Sequence, residues 1–253
     1  MLILLPPSET KRDGGAEGTS VDPLELRFAE LSGARRAVSI ELRKLACNLT
    51  TMREALKLGP NQKHELLRNR TVRTAPTMPA MDRYTGVLFD ALDAASLPQE
   101  AREFAARTVV VHSALFGLVG AGDLIPAYRL SHDSRLPTIS LKKAWRGPIS
   151  TVLESVDGLI LDLRSEAYAA LGPAPERDGS YFLRVVAQGS DGGVRALNHF
   201  NKKGKGEFVR SLLLAGIEHA DAESLITWAN DAGWTLRHGV PGELELEVQN
   251  SLG

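Results

Sequence analysis

Met1-Leu-Ile-Leu-Leu5, an apolar run that stops at Pro6 and Pro7, decides the fold class of this chain. A short continuous hydrophobic run bounded by proline is typical of a strand that is buried on both faces. Thr108-Val-Val-Val-His112 and Gly158-Leu-Ile-Leu-Asp-Leu163 have the same character. Helical patterns separate the three runs. The chain is therefore predicted to be a mixed α/β (α+β) protein with a central sheet and surrounding helices.

The remaining elements follow from hydrophobic spacing. Residues 23 to 58 are predicted to be helical, and residues 61 onward are predicted to form a second helix that carries Leu66 and Leu67. Further helices are predicted at 87–92, 207–215 and 222–231. Residues 181–187 and 194–197 are predicted to pair as a hairpin around 189–193, and 243–248 alternates as a strand with one exposed face. The buried face of the first helical region is predicted to contain Val38, Leu42, Leu45 and Leu49.

The strands and helices do not repeat as regular βαβ units, so neither a Rossmann fold nor a TIM barrel is expected. No linker divides the 253 residues, which favours a single domain. The opening apolar run is too short for a signal peptide, and no later stretch reaches membrane-spanning length. We therefore expect a cytoplasmic protein that does not enter a membrane.

Composition limits the possible chemistry. The net charge of −1 requires any polyanion site to come from local charge segregation. The single cysteine, Cys47, excludes an internal disulfide and a thiolate cluster, and its apolar neighbours predict a packed thiol. The six histidines show no metal-binding spacing, and neither HExxH nor CxxC occurs. We expect no metal site and no cofactor.

The most basic stretch is Asn198-His-Phe-Asn-Lys-Lys-Gly-Lys-Gly-Glu-Phe-Val-Arg210, called here the lysine segment. Its glycines would let the backbone approach a ligand, and a helix is predicted to begin at residue 207, directly after the lysines, with Arg210 one turn in. A helix start surrounded by lysines favours phosphate. The alternative is a solvated basic loop. The cations predicted to contact phosphate are Lys63, Arg68, Arg70, Arg129, Lys202, Lys203, Lys205 and Arg210.

Polar and aromatic residues near predicted strand ends suggest a pocket. Tyr84, Tyr128 and Tyr168 offer rings for stacking a base, although they would equally suit the edge of the core with satisfied hydroxyls. Ligand contacts of α/β proteins often follow the carboxyl ends of strands. The candidates there are Ser8, Thr10, Lys11, Asp162, Ser165 and Glu166, with Asn198 added from the lysine segment. Local structure offers an alternative, because Ser165 suits a helix N-cap and Ser8 to Lys11 suits a turn.

Several blocks, in order along the chain, resemble the bacterial peroxide-stress YaaA family. They are Met1-Leu-Ile-Leu-Leu-Pro-Pro-Ser-Glu-Thr-Lys11, Tyr84-Thr85-Gly86, Ser113-Ala-Leu-Phe-Gly117, Asp123-Leu-Ile-Pro-Ala-Tyr-Arg-Leu130, Asp162-Leu-Arg-Ser-Glu-Ala-Tyr168 and the 200–210 part of the lysine segment. Many members have a lysine near position 9, where this chain has Glu9, which leaves Lys11 as the candidate substitute.

The resemblance implies a YaaA-like single-domain fold with a positively charged cleft, protection against hydrogen peroxide, and DNA binding without sequence preference. It also implies a helix-hairpin-helix-like element, which residues 52–70 fit through a turn at Leu58-Gly59-Pro60. Such a hairpin would offer backbone N–H groups to phosphates.

Two functional hypotheses follow. In the first, the protein binds DNA through its basic cleft and limits oxidative damage. In the alternative, it is a metal-free enzyme with hydrogen peroxide as co-substrate that oxidises adenine or an adenine nucleotide to a hydroxylamino base. Lys203 would polarise the peroxide, Tyr128 or Tyr168 would stack the base, and Asp162 or Glu166 would fix its edge.

Overall fold

The computed structural model describes residues 1–59, 62–188 and 194–249. Its strands are Leu2–Leu5 (β1), Met78–Pro79 (β2), Val109–Ser113 (β3), Gly117–Gly120 (β4), Leu124–Ile125 (β5), Ile160–Asp162 (β6), Ser180–Gln188 (β7), Thr235–His238 (β8) and Glu243–Gln249 (β9). Its α-helices are Ser32–Ala46 (α1), Leu49–Ala55 (α2), Lys63–Thr71 (α3), Ala80–Arg83 (α4), Val87–Leu92 (α5), Gln99–Thr108 (α6), Leu141–Glu154 (α7), Glu166–Ala169 (α8), Val194–Ala215 (α9) and Ala222–Asp231 (α10).

Seven strands form one sheet in the order β4-β3-β1-β6-β7-β9-β8. The five inner strands are parallel, and β4 and β8 are antiparallel edge strands. β1 lies between β3 and β6 and is fully buried, as its apolar sequence predicts. The mixed α/β class is thus confirmed, and the sheet is open, not a barrel.

Most predicted elements are confirmed. The runs at 108–112 and 158–163 form β3 and β6, the helix at 87–92 is α5, and 222–231 is α10. β9 buries Leu244 and Leu246 while its glutamates are only partly buried, which is the alternation that the sequence predicts.

The hairpin prediction is wrong. Residues 194–197 begin helix α9, and β7 pairs in parallel with β6 and β9. The predicted turn at 189–193 lies outside the described residues.

The predicted helix start at residue 207 is also wrong, because α9 begins at 194 and contains the whole lysine segment. Its glycines serve packing. A Cβ at Gly206 would lie 2.2 Å from the Leu88 carbonyl oxygen, and one at Gly204 would lie 2.5 Å from Val248. These two positions let α9 pack closely against α5 and β9.

Two predictions of buried side chains are wrong. Val38, Leu42 and Leu45 are buried on α1, but Leu49 starts α2 and is 43% exposed. The Cys47 thiol is exposed at the end of α1, where the chain turns outward, so it is not packed.

The helices α2 and α3 flank the predicted hairpin, whose residues 60 and 61 lie outside the described residues. The helix-hairpin-helix assignment therefore stays a prediction. In the described ranges, no helix is both long and apolar enough to cross a membrane. Those ranges also contain no group of three or more His, Cys, Asp or Glu side chains placed to hold a metal ion.

Candidate functional site

The candidate site lies where β1, β3 and β6 end. These parallel strands place their carboxyl ends at one edge of the sheet, and each is followed by polar residues. Residues 8–11 follow β1, Ser113 ends β3, and residues 162–165 span the end of β6. The edge therefore collects polar groups from three distant parts of the chain, as expected for this class of sheet.

Lys11 is the central cation of this edge. It is only 5% exposed, and its Nζ donates to the carbonyl oxygens of Ser8 at 2.9 Å and Glu9 at 3.3 Å. The ammonium lies 4.1 Å from the centre of the Tyr128 ring and 5.2 Å from that of Tyr84. Burial lowers the pKa of Lys11 to about 7, an effect that the Glu65 carboxylate opposes and the Arg129 and Arg68 guanidinium groups reinforce. The amine therefore titrates far closer to neutral pH than an ordinary lysine does.

Three hydroxyl groups form a chain beside Lys11. Ser113 Oγ accepts the backbone N–H groups of Leu115 and Phe116, so its single hydrogen points to the Tyr128 hydroxyl 2.7 Å away. The Tyr128 hydroxyl then donates to the Tyr84 hydroxyl at 2.9 Å. Burial raises the pKa of Tyr128 to about 12 and that of Tyr84 well above its usual value, so both phenols keep their protons. The Tyr84 hydroxyl is the end of a preorganised proton-donating chain.

The backbone next to Tyr84 fixes this arrangement. Lys11 and Tyr84 form an isolated antiparallel bridge, and Thr85 N–H donates to the Thr10 carbonyl at 3.2 Å. Gly86 follows with φ of 97°, and a Cβ there would lie 3.2 Å from Ser8 Oγ. Glycine at this position allows the Tyr84 turn to close against the rim of the site.

The hydroxyl groups of Ser8, Thr10 and Thr85 form the rim above Lys11. Thr10 Oγ1 lies 3.2 Å from Ser8 Oγ and 3.0 Å from Thr85 Oγ1. Thr10 is exposed, and the other two are half-buried. The predicted pocket residues Ser8, Thr10, Lys11 and Tyr84 are thus neighbours.

Arg129 reaches the same rim. Its guanidinium donates to Glu9 Oε2 at 2.5 Å, and its side chain is 10% exposed. The buried amide of Asn69 holds the Arg129 backbone through two hydrogen bonds of 2.7 and 2.8 Å. Arg68 contacts Glu65 at 2.9 Å and Asp13 at 2.6 Å. Both guanidinium groups near Lys11 are therefore paired with carboxylates.

A fully buried ion pair lies at the end of β6. Arg164 donates to both carboxylate oxygens of Asp162, at 2.8 and 2.6 Å, and to His112 Nδ1 at 2.9 Å. Because a guanidinium only donates, His112 Nδ1 accepts and Nε2 carries the hydrogen. Burial, and next the Arg164 charge, holds the pKa of His112 well below its usual value, so the ring is neutral. Asp162 is consequently an ion-pair partner that orients Arg164.

The Tyr168 ring packs against two imidazoles. Its ring centre lies 5.5 Å from that of His112 and 5.3 Å from that of His132. Tyr168 is 8% exposed, and Tyr128 has no exposed surface because Lys11 and the edge of Phe116 cover it. A base could stack on the Tyr128 ring only if these neighbours moved.

The lysine segment divides into one buried amine and two exposed ones. Lys205 is 6% exposed, its Nζ donates to the Leu163 carbonyl at 3.1 Å, and burial lowers its pKa to about 8. Lys202 is exposed, and Lys203 Nζ lies 3.5 Å from Glu207 one turn along α9. The Lys203 side chain is 56% exposed, so its ammonium is in contact with solvent.

The other predicted residues lie outside the Lys11 cluster. Arg210 donates to the carbonyls of Leu92 and Asp93, and Arg70 donates to the Ala46 carbonyl. Ser165 Oγ caps α8 by accepting the Tyr168 N–H, while Glu166 is exposed. The side chains of Lys63 and Asn198 lie outside what the structure describes.

The sequence interpretation missed three features of the site. It gave no role to Ser113, to the Glu9 partner of Arg129, or to Arg164. Arg164 lies between the selected residues Asp162 and Ser165, and Ser113 is the last residue of β3, so the same positional argument would have found both. The Glu9–Arg129 pair spans 120 residues and has no local signal.

The fold and the edge site define a mixed α/β protein with a buried lysine at the carboxyl edge of its sheet. The pKa of this lysine is lowered to about 7. Residues 1–238 match the family model described as peroxide stress protein YaaA. The chain is 44% identical over 241 residues to the UPF0246 protein of Corynebacterium glutamicum strain R, covering 92% of this chain and 93% of that one. It is 39% identical over 251 residues to the UPF0246 protein of Streptomyces coelicolor, covering 96% and 94%. The chain belongs to the peroxide stress protein YaaA family.

Proposed function

We propose that this peroxide stress protein is an enzyme that uses hydrogen peroxide, without a metal or an organic cofactor, to oxidise a nucleobase at the Lys11 site. The observation that carries the proposal is the buried Lys11 amine, whose pKa of about 7 suits proton transfer at neutral pH. Adenine is the substrate to test first, because its exocyclic nitrogen can accept one oxygen atom.

The reaction balances with peroxide as the oxidant. The exocyclic nitrogen attacks one peroxide oxygen, so that an N–O bond forms while the O–O bond breaks. The nitrogen is oxidised by two electrons, and the departing hydroxide takes a proton from the Lys11 ammonium and leaves as water. The nitrogen then returns a proton to the Lys11 amine. Adenine and hydrogen peroxide give the hydroxylamino base and water.

The neighbours of Lys11 would support this step. An ammonium in a low-dielectric site stabilises the developing hydroxide more strongly than one in water. The Ser113–Tyr128–Tyr84 chain adds a phenol hydrogen that requires no reorganisation during the reaction. The assignment of the polarising role to Lys203 stays a prediction, and its exposure makes Lys11 the stronger candidate.

The experiment combines chelator-treated protein with peroxide and adenine and measures a mass gain of one oxygen. Lys11→Met should lower the rate at least about a hundredfold, the usual contribution of a general acid. Lys203→Met tests the rival lysine, and Lys142→Met, at an exposed position on α7, is the matched control. The absence of product from the wild-type protein contradicts the proposal. Loss of product in Lys203→Met alone assigns the step to Lys203.

DNA binding is the second candidate function, and the exposed pair Lys202 and Lys203 on α9 favours it. Reversing both charges to glutamate should weaken retention on DNA of any sequence and reduce the salt dependence by about two counterions. Lys142 and Lys143 form an equally exposed pair on α7 and serve as the matched control. Equal losses from both double variants, or none from the first, contradict a DNA site on α9.

A further inference from the structure

The charges around Lys11 are balanced in pairs. Arg129 contacts Glu9, and Arg68 contacts Glu65. All four groups act electrostatically on Lys11, the carboxylates favouring its charged form and the guanidinium groups opposing it. A guanidinium that is paired with a carboxylate already has its charge largely compensated, so it attracts a further anion more weakly than a free guanidinium does.

Glu9 differs from Glu65 in its position. The Glu65 side chain is 6% exposed beneath Arg68, whereas the Glu9 side chain is 60% exposed at the rim beside Thr10. The backbone carbonyl of Glu9 also accepts a hydrogen bond from Lys11. Glu9 therefore presents its carboxylate on the surface beside Thr10 while it is paired with Arg129.

The consequence depends on the charge of the ligand. A phosphate entering beside Thr10 would either displace Glu9 from Arg129 or lie next to its carboxylate, and like charges placed together at a binding surface are costly. A neutral base meets neither cost. We infer that Glu9 makes the site selective for an uncharged nucleobase over its phosphorylated forms. This inference rests on the proposed function, since it concerns the substrate of the same site.

Binding is measured by calorimetry for adenine and for adenosine 5′-monophosphate, without peroxide. The wild-type protein should prefer adenine by about tenfold or more. Glu9→Gln replaces the carboxylate with a neutral amide that can still accept from Arg129 but no longer neutralises its charge, so the preference should fall by about tenfold or more, in line with the strength of a charge-assisted hydrogen bond. Glu245→Gln removes the same charge from a surface pair with Arg237 and should leave the preference unchanged.

The outcomes are separable from those of the oxidation assay. Equal binding of both ligands by the wild-type protein, no binding of adenine, or an unchanged preference in Glu9→Gln overturns the inference. A preference that responds to Glu9, together with no oxidised product, supports the inference and contradicts the proposed chemistry. The exposure of the Glu9 side chain makes the variant compatible with folding.

Discussion

Replacing Lys11 with methionine removes the buried amine and keeps an unbranched side chain of similar length. In the folded protein the pKa of Lys11 is lowered from 10.5 to about 7 by burial. At a pH between these two values, Lys11 is protonated in the unfolded chain and deprotonated in the folded protein. The free energy of unfolding of the wild-type protein therefore rises with pH across this window, and the contribution is lost as pH falls through the folded pKa.

The size of the effect follows from the width of the window. Each pH unit well inside this window changes the free energy of unfolding by about 1.4 kcal/mol. The change between pH 7 and pH 8 is smaller, because Lys11 is still partly protonated in the folded protein at pH 7. The stability of the wild-type protein relative to Lys11→Met should thus increase by about 2 kcal/mol from pH 7 to pH 9. Below pH 7 the difference should become constant, because both states are protonated.

Urea unfolding of both proteins at pH 6, 7, 8 and 9 measures this difference. Subtracting the variant removes the contributions of groups that titrate equally in both proteins. Lys142→Met, at an exposed position, should give a difference that does not change with pH. A flat difference between the wild-type protein and Lys11→Met would mean that the amine is solvated, and the general-acid argument would lose its basis.

Three further predictions concern the same edge and its supports. By urea unfolding, the stability of the wild-type protein relative to Lys205→Met should also rise with pH, and the rise should begin near pH 8, the lowered pKa of Lys205. A rise that begins at pH 7 or lower would contradict this assignment. Gly206→Ala should lower the free energy of unfolding by about 2 kcal/mol or more, because its methyl group would overlap the Leu88 carbonyl. Gly33→Ala, at an open position of α1, should change it by less than about 1 kcal/mol. Similar losses from the two variants in thermal melts would contradict this account of α9 packing. Arg164→Met should destabilise the fold by about 3 to 5 kcal/mol because it leaves a buried carboxylate unpaired, and a loss below about 1 kcal/mol at pH 7 would show that the pair is not buried.

The sheet was predictable because each of its central strands can be recognised from its own stretch of sequence. β1, β3 and β6 are largely apolar runs; Lys11 follows β1, and Ser113 and Asp162 are the last residues of β3 and β6. Position at a strand end is thus enough to nominate much of the site. Position at a strand end does not predict which of those side chains are buried away from water, because their burial depends on helices from elsewhere in the chain.

The lysine segment shows where local reasoning stops. Gly204 and Gly206 indicate a loop by propensity, since glycine weakens a helix by about 1 kcal/mol relative to alanine. Their actual requirement is tertiary, because Leu88 on α5 and Val248 on β9 leave no space for a Cβ. No spacing rule contains that information. The same limit applies to the pairing of Arg129 with Glu9.

Lys11 and Lys205 have the same two kinds of contact. Lys11 donates to the Ser8 carbonyl and lies over Tyr128, and Lys205 donates to the Leu163 carbonyl and lies 5.4 Å from the centre of the Phe182 ring. A carbonyl and an aromatic face compensate a buried ammonium only partly, which is why burial lowers the pKa of each.

A directly bonded carboxylate would have stabilised either ammonium more, and a methionine would avoid the desolvation cost at neutral pH. Buried amines held in this way weaken the fold, and residues of that kind are expected where function requires them. At pH 6 Lys11→Met should therefore be more stable than the wild-type protein while it loses activity. A variant that is both less stable and fully active would reverse this argument, because Lys11 would then be a structural residue.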